Sequence, residues 1–236
     1  MNRTPYMGPE KKNHTGLIFK LALFAVIIIG AVVILYSCEA KNQPEFDFDN
    51  IELVQYQLPE EDAPVVVFET SQGTFKAVLF PEETPELYKY FTGLVNDGYY
   101  DGSYVFSVQD GVFFMGGSKT KTGVTDKDTD EKTFDQELSE NLWPFRGALV
   151  AYGNKSEGIF NKRVKSGSRI LFVDTVEFTQ EFVKEFDAIE GNEDVKNVFK
   201  EKGGVPNFSQ QYTIFGQVYD GFDVYEKICT YDVKDE

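Results

Sequence analysis

Asp126, Asp128, Asp130 and Glu137 fall at positions 1, 3, 5 and 12 of a calcium-loop spacing. Position 6 of such a loop needs glycine for its sharp turn, and here it is Glu131. No helical pattern precedes the run, so it reads as a solvated acidic loop. The single histidine, His14, lies in the N-terminal tail. The remaining chain therefore has no Ser-His-Asp triad, no Cys-His dyad and no His-ligated zinc. Two cysteines, Cys38 and Cys229, build neither a disulfide framework nor a Cys-rich metal site. No cofactor is expected. Residues 45–236 hold 18 basic and 37 acidic side chains, a net charge of −19. Such a surface repels phosphate backbones and anionic lipid, so nucleic acid is not an expected partner.

Aromatic and β-branched residues concentrate in one stretch. Gly98–Ser118 reads GYYDGSYVFSVQDGVFFMGGS. Turns at Asp101-Gly102 and Asp110-Gly111 frame two apolar strands, Tyr104–Val108 and Val112–Met115, and Gly116-Gly117 stops the second. Turn chemistry alone makes this a β-hairpin. It also resembles a signature of the cyclophilins, the barrel-type peptidyl-prolyl cis-trans isomerases, of the form GYYDG-x-x-FHRV-x-x-GFM-x-QGGD. GYYDG is intact at 98–102, and Val108, Gly111, Gly116 and Gly117 match.

Further blocks follow in the family's order. Val65–Thr70 and Gly73–Phe80 are two strands joined by a short turn, similar to the family's opening strands. Thr84, Pro85 and Glu86 start a helix as N-cap, first position and dipole partner. Leu87, Phe91, Leu94 and Val95 form its apolar stripe. Phe134–Glu137 with Arg146–Leu149, Ser166–Phe172 and Tyr212–Val218 resemble three later family passages. Residues 177–203 depart from compact cyclophilins: Thr179 caps a helical pattern through Phe182, Val183, Phe186 and Ile189, and Val195–Lys200 starts another. The resemblance spans about 64–230. It implies a mainly β fold, a closed antiparallel β-barrel capped by helices, with a helical insertion at 177–203.

Rotation about an X-Pro bond faces a barrier of roughly 18–20 kcal/mol and takes tens of seconds unaided. A catalyst holds the ring in an apolar pocket and stabilises the twisted amide, whose pyramidal nitrogen accepts a hydrogen bond. In the family an arginine of the FHR motif donates it. Carried over by position, Phe-His-Arg becomes Val105-Phe106-Ser107, so Ser107 stands at the arginine position. The Phe-Met pair becomes Val112-Phe113, the Gln becomes Met115, and the Asn becomes Gly153 beside Tyr152. The Gln of the NGSQ passage becomes Arg169, the second Phe after it Leu171, the Trp Asn207, its Leu neighbour Phe208, and the His Tyr212. The scaffold glycines stay while the site side chains change.

Losing one transition-state donor costs on the order of 10²–10³ in rate, so weak or absent isomerase activity is expected. Two readings of Arg169 stand beside this. Its guanidinium either replaces the missing donor from the neighbouring strand or pairs with acidic groups at the rim. The groove positions Phe106, Val112, Phe113, Met115, Tyr152, Gly153, Leu171, Phe208 and Tyr212 remain apolar and aromatic, which suits extended or Pro-containing peptide. The competing expectation for Phe106 and Phe113 is ordinary core.

Leu17–Tyr36 is an apolar run of twenty residues broken only by Lys20, long enough for a helix to span a bilayer. Basic residues precede it and acidic ones follow, which puts residues 1–16 in the cytoplasm and the domain outside. Residues 17–37 are thus expected to be a signal anchor or, alternatively, a lipoprotein signal with Cys38 lipidated. Residues 38–63 read as an acidic linker and 64–236 as the folded domain.

Overall fold

The computed structural model describes residues 46–48, 50–123, 132–134, 136–155 and 164–231. Its core is one antiparallel sheet of eight strands. These are β1 (Val65–Thr70), β2 (Gly73–Leu79), β3 (Ser107–Gln109), β4 (Phe113–Gly116), β5 (Lys132–Phe134), β6 (Ala148–Lys155), β7 (Val164–Val173) and β8 (Ile214–Asp220). The order is β1-β2-β8-β6-β7-β4-β3, with β5 paired to β7 beside that path. Among the described residues four helices accompany it: α1 (Pro85–Asn96), α2 (Gln180–Ala188), α3 (Glu193–Lys202) and α4 (Phe222–Cys229).

Strand periodicity assigns the inner face. Phe75, Ala77 and Leu79 of β2, Phe114 of β4, Leu149 and Ala151 of β6, Ile170 and Phe172 of β7 and Phe215 of β8 share one buried cluster. Phe114 stacks on Phe172 at 4.5 Å between ring centroids, and Phe172 meets Phe75 edge-on at 5.9 Å. The outer face of the same central strands is also apolar, carrying Met115, Ala148, Val150, Leu171, Val173 and Ile214. Alternation is therefore masked in runs such as Ile170–Val173, whose four residues are all buried.

The sheet curls but ends at β1 and β3. No ladder joining these two strands is among the described pairings, so the expected closed barrel appears as a curled sheet. The gap is bridged by side chains. Helix α4 contacts β2, β3 and β4. Its fully buried Tyr225 lies 5.7 Å from the Phe75 ring and 5.2 Å from Phe114, and its hydroxyl donates to the Val173 carbonyl at 2.6 Å. Phe68 of β1 reaches across to Phe172 at 5.3 Å.

The hairpin forms with its turn at Asp110-Gly111, where the Val112 amide donates to the Gln109 carbonyl at 2.9 Å. Its strands are shorter than the apolar run suggests. Tyr104 makes only an isolated bridge to Ser118, and Val105 is exposed. At Gly117, φ is +89° and a Cβ would sit 2.4 Å from the Ser168 carbonyl oxygen, so the Gly-Gly stop is required by close approach of β7.

Helix α1 starts where expected, but Thr84 does not cap it. The Thr84 hydroxyl turns back to the Phe80 carbonyl at 3.0 Å. The first-turn amides of Glu86 and Leu87 donate instead to the Glu137 carboxylate at 2.9 and 3.0 Å. Glu137, the twelfth residue of the calcium-type spacing, is thus engaged on a helix end. Asp126, Asp128 and Asp130 lie outside the described residues. Glu137→Ala should cost about 1–2 kcal/mol, lowering the melting midpoint by about 2–8 °C, as a thermal melt followed by circular dichroism would read.

Residues 46–48 and 50–57 pack on the fold rather than forming a free linker. The buried Gln55 amide donates to the Trp143 carbonyl and to Gln217 Oε1, both at 2.8 Å, and its oxygen accepts the Trp143 amide at 2.6 Å. Phe48 meets Trp143 at 6.1 Å, and Tyr56 meets Phe145 at 5.4 Å. Ile51 and Leu53 join a third cluster with Phe145, Phe186, Val195 and Phe199, which seats the helical insertion. In the insertion Thr179 caps α2 through the Phe182 amide, and Asn192 caps α3 through the Asp194 and Val195 amides. No helix among the described residues is long and apolar enough to cross a membrane. The run 17–36 and Cys38, on which the anchor and lipoprotein expectations rest, lie outside the described residues.

Candidate functional site

The register of the ladders builds the site. Ser107 on β3 pairs with Met115 on β4, Met115 with Leu171 on β7, Leu171 with Val150 on β6, and Val150 with Ile214 on β8. Directly opposed residues in antiparallel strands share a face. This row therefore crosses the outer face of the sheet from its β3 edge inward. A parallel row holds Phe113 opposite Val173. Ser107 enters at the rim, half-buried, with an apolar floor beside it.

Loops pack over this face. A 3-10 turn, Pro206–Phe208, leads into a loop that carries Phe208 and Tyr212, whose rings meet at 5.3 Å in a T-shaped pair. Phe106, Val112, Phe113, Tyr152, Phe208 and Tyr212 are partly buried against the same cluster that contains Met115 and Leu171. Gly153 follows Tyr152 where the β6–β7 register shifts between Ala151 and Gly153. Eight of the nine sequence-assigned groove positions thus share one apolar cluster, and Gly153 adjoins it. Phe106 and Phe113 lie on this outer cluster and not in the interior. Asn207, at the family tryptophan position, is exposed.

Arg169 lies on β7 two residues before Leu171, so strand parity turns it to the groove face. Its guanidinium carbon sits 5.5 Å from the centroid of the Phe106 ring, and Nη2 donates to the Gly123 carbonyl. Gly123, at φ +70°, presses its backbone on the opposite neighbour: a Cβ there would fall 2.2 Å from Phe106 Cδ2. The Phe106 ring, next to Ser107 in sequence, thus touches both a loop backbone and a guanidinium.

Several supporting residues gave no sequence signal. Gln210 has φ +56°, a left-handed backbone rarely taken by a side-chain-bearing residue, and stands between Phe208 and Tyr212. Its amide donates to the Ser139 carbonyl at 3.1 Å. Gln136 donates to the Gln211 carbonyl, and the Glu137 amide donates to Thr213 Oγ1 at 3.1 Å. These bonds fix the Phe208–Tyr212 loop on the segment after β5. Leu142, Val205 and Val54 line the cluster as well. Their apolarity was visible, but nothing local says which face they would join.

A second polar cluster serves the scaffold. Arg146 pairs with Glu226 at 2.7 Å and lies 3.6 Å from Asp174. Burial raises the Asp174 carboxyl above its usual range, against the Arg146 charge, which lowers it. Burial likewise pushes the Cys229 thiol up, with Asp174 adding to it. Cys229 is a buried free cysteine, so this group ties β6 and β7 to α4 and offers no reactive thiolate. Among the described residues no group of three His, Cys, Asp or Glu side chains could hold a metal ion.

Comparison with known proteins bears on the fold and the family. The crystal structure of a cyclophilin-type peptidyl-prolyl cis-trans isomerase from Cryptosporidium parvum superposes with a TM-score of 0.50 at 22% identity, covering 70% of this chain and 83% of that one. A second crystal structure of that protein, in the presence of the dipeptide Ala-Pro, gives 0.50 at 21% identity, covering 70% and 84%. A protein of Staphylococcus aureus (strain COL), named as a candidate peptidyl-prolyl cis-trans isomerase, is 29% identical over 164 residues, which is 70% of this chain and 80% of that protein. A candidate bifunctional phosphatase/peptidyl-prolyl cis-trans isomerase of Streptococcus pyogenes serotype M6 is 28% identical over 170 residues, 72% of this chain. The chain spans about a third of that relative's length, 34%. Residues 65–236 match the family described as cyclophilin type peptidyl-prolyl cis-trans isomerase/CLD, and the chain belongs to that family.

Proposed function

We propose that this domain holds extended, proline-containing segments of exported proteins in the outer groove while catalysing their isomerisation weakly or not at all. The observation that carries this is the position of Ser107. It stands at the rim of an apolar floor formed by Met115, Leu171 and Val150, where the family places its arginine. A hydroxyl is short and neutral, so it cannot follow the amide nitrogen through its pyramidal state as a guanidinium does. Apolar and aromatic side chains still supply binding.

A second reading is favoured by Arg169. Its guanidinium is on the groove face and against Phe106, the neighbour of Ser107. In that reading it swings from the Gly123 carbonyl to the bound amide and acts as the donor. A proline-limited refolding assay separates the two. Under the first reading the wild type accelerates refolding little, and Arg169→Ala changes nothing. Under the second, the wild type is active and Arg169→Ala lowers the rate on the order of 10²-fold. Peptide binding by calorimetry, measured alongside, distinguishes a holding groove from a purely structural domain.

The same proposal places the domain outside the cytoplasmic membrane, tethered through residues 17–37 or through lipid on Cys38. It is supported by the twenty-residue apolar run 17–36 and its flanking charges. Recovery of the full chain in a salt-washed membrane fraction tests it, and recovery in the soluble fraction rejects it.

A further inference from the structure

The helical insertion does more than pack beside the groove. Between the β3–β4 turn and the insertion lies a cleft of about 810 Å³. One wall is Asp110–Val112. The other is the strand exit Asp174–Phe178 with the last turn of α3, Phe199–Gly203. Val112, Val176, Phe178 and Phe199 give it apolar lining. Val112 and Val176 also pack against the groove cluster of Met115 and Leu171. Groove cluster and cleft therefore share a border at Val112 and Val176.

Part of the charge around the cleft is answered from within the protein. Arg146 is held by Glu226 at 2.7 Å with Asp174 at 3.6 Å, and Lys200 by Asp187 at 3.0 Å. Asp110, Glu177, Glu201 and Lys202 line it as well, so its formal charge is close to balanced in a strongly acidic domain. That is no trap for an anion or a cation. It suits an uncharged stretch of polypeptide. A cleft of this volume is roughly 9 Å across, room for about three residues of extended chain at ~3.3 Å each.

Resting on the groove reading above, we infer that the cleft between the β3–β4 turn and the α2–α3 insertion is a second subsite, which takes the uncharged residues flanking one side of the segment held in the groove. The insertion thereby makes the protein a reader of long unfolded segments in preference to short prolyl peptides.

Calorimetric titration of the full chain with three peptides tests this. The first is a short uncharged Ala-Pro-containing tetrapeptide. The second and third extend it by four uncharged residues, including one Phe, on the N-terminal or the C-terminal side. One extension is expected to tighten binding on the order of tenfold, and the other to leave it unchanged. Glu177→Trp and Lys202→Trp, both at exposed positions lining the cleft, fill its mouth. Each is expected to abolish the gain while the tetrapeptide binds as before. Gains that are absent, equal on both sides, or intact in both tryptophan variants overturn the second subsite and leave the groove standing. Failure of all three peptides to bind instead overturns the groove reading, and this inference with it.

Discussion

Deleting residues up to 57 should lower the thermal midpoint of the domain by about 10 °C or more, relative to a chain that begins at 46. Gln55 is the reason. Its side chain is 3% exposed and serves the Trp143 amide, the Trp143 carbonyl and Gln217 Oε1 at once. Each buried polar group stripped of its partner costs about 1–3 kcal/mol, less where water enters. Loss of Ile51 and Leu53 from the third cluster adds apolar exposure, and loss of Tyr56 uncovers Phe145. A total of about 4 kcal/mol converts to about 8–16 °C in a domain this size. Gln55→Leu isolates the polar part. It keeps the volume while stranding three groups, and should cost about 2–4 kcal/mol in urea unfolding. Midpoints within 2 °C across all three chains would show that residues 46–57 lie on the domain without stabilising it.

Ser107→Arg should raise the rate of prolyl isomerisation by at least about tenfold over wild type. Removing a transition-state donor costs on the order of 10²–10³, and restoring one recovers part of that where the floor is already in place. The position accepts the change. Ser107 is half-buried on β3, which ends the sheet, so a long side chain has solvent on one side and Met115 on the other. The obstacle is Arg169, whose guanidinium rests on the adjacent Phe106 ring and would repel a second cation. Ser107→Arg combined with Arg169→Gln, which returns both family residues, is therefore expected to exceed the single variant, approaching 10²-fold. No gain in either, with peptide affinity retained, means that the groove has lost the shape for the twisted amide as well as its donor.

Features fixed by a few neighbouring residues were legible. The Asp-Gly turns, the Pro85 helix start, the Thr179 cap and the apolar parity of β2 all emerge where local chemistry puts them. Of the positions assigned to the groove by family resemblance, eight meet in one apolar cluster. Long-range pairings were not. Glu137 caps a helix that starts 52 residues earlier in the chain, and nothing in its own segment announces that role. Gln55 looked like one residue of an acidic spacer because its partners lie 88 and 162 positions away. Gln210 takes a backbone that sequence assigns to glycine or asparagine, under the pull of contacts to Ser139 and the loop around it. The barrel closure failed for a related reason: a wedge of aromatic rings does what a ladder of amides was expected to do.

The segment 170–173 of β7 runs between two oily layers, with Ile170 and Phe172 facing one and Leu171 and Val173 facing the other. A strand with one wet side forgives polar replacements at every second residue. Here neither parity is forgiving, so 170–173 has no neutral sites through which drift can pass. Drift is therefore left to the loops and to the rim strand, where Ser107 already differs from the family pattern, while the middle of the wall stays locked by its obligations to both sides.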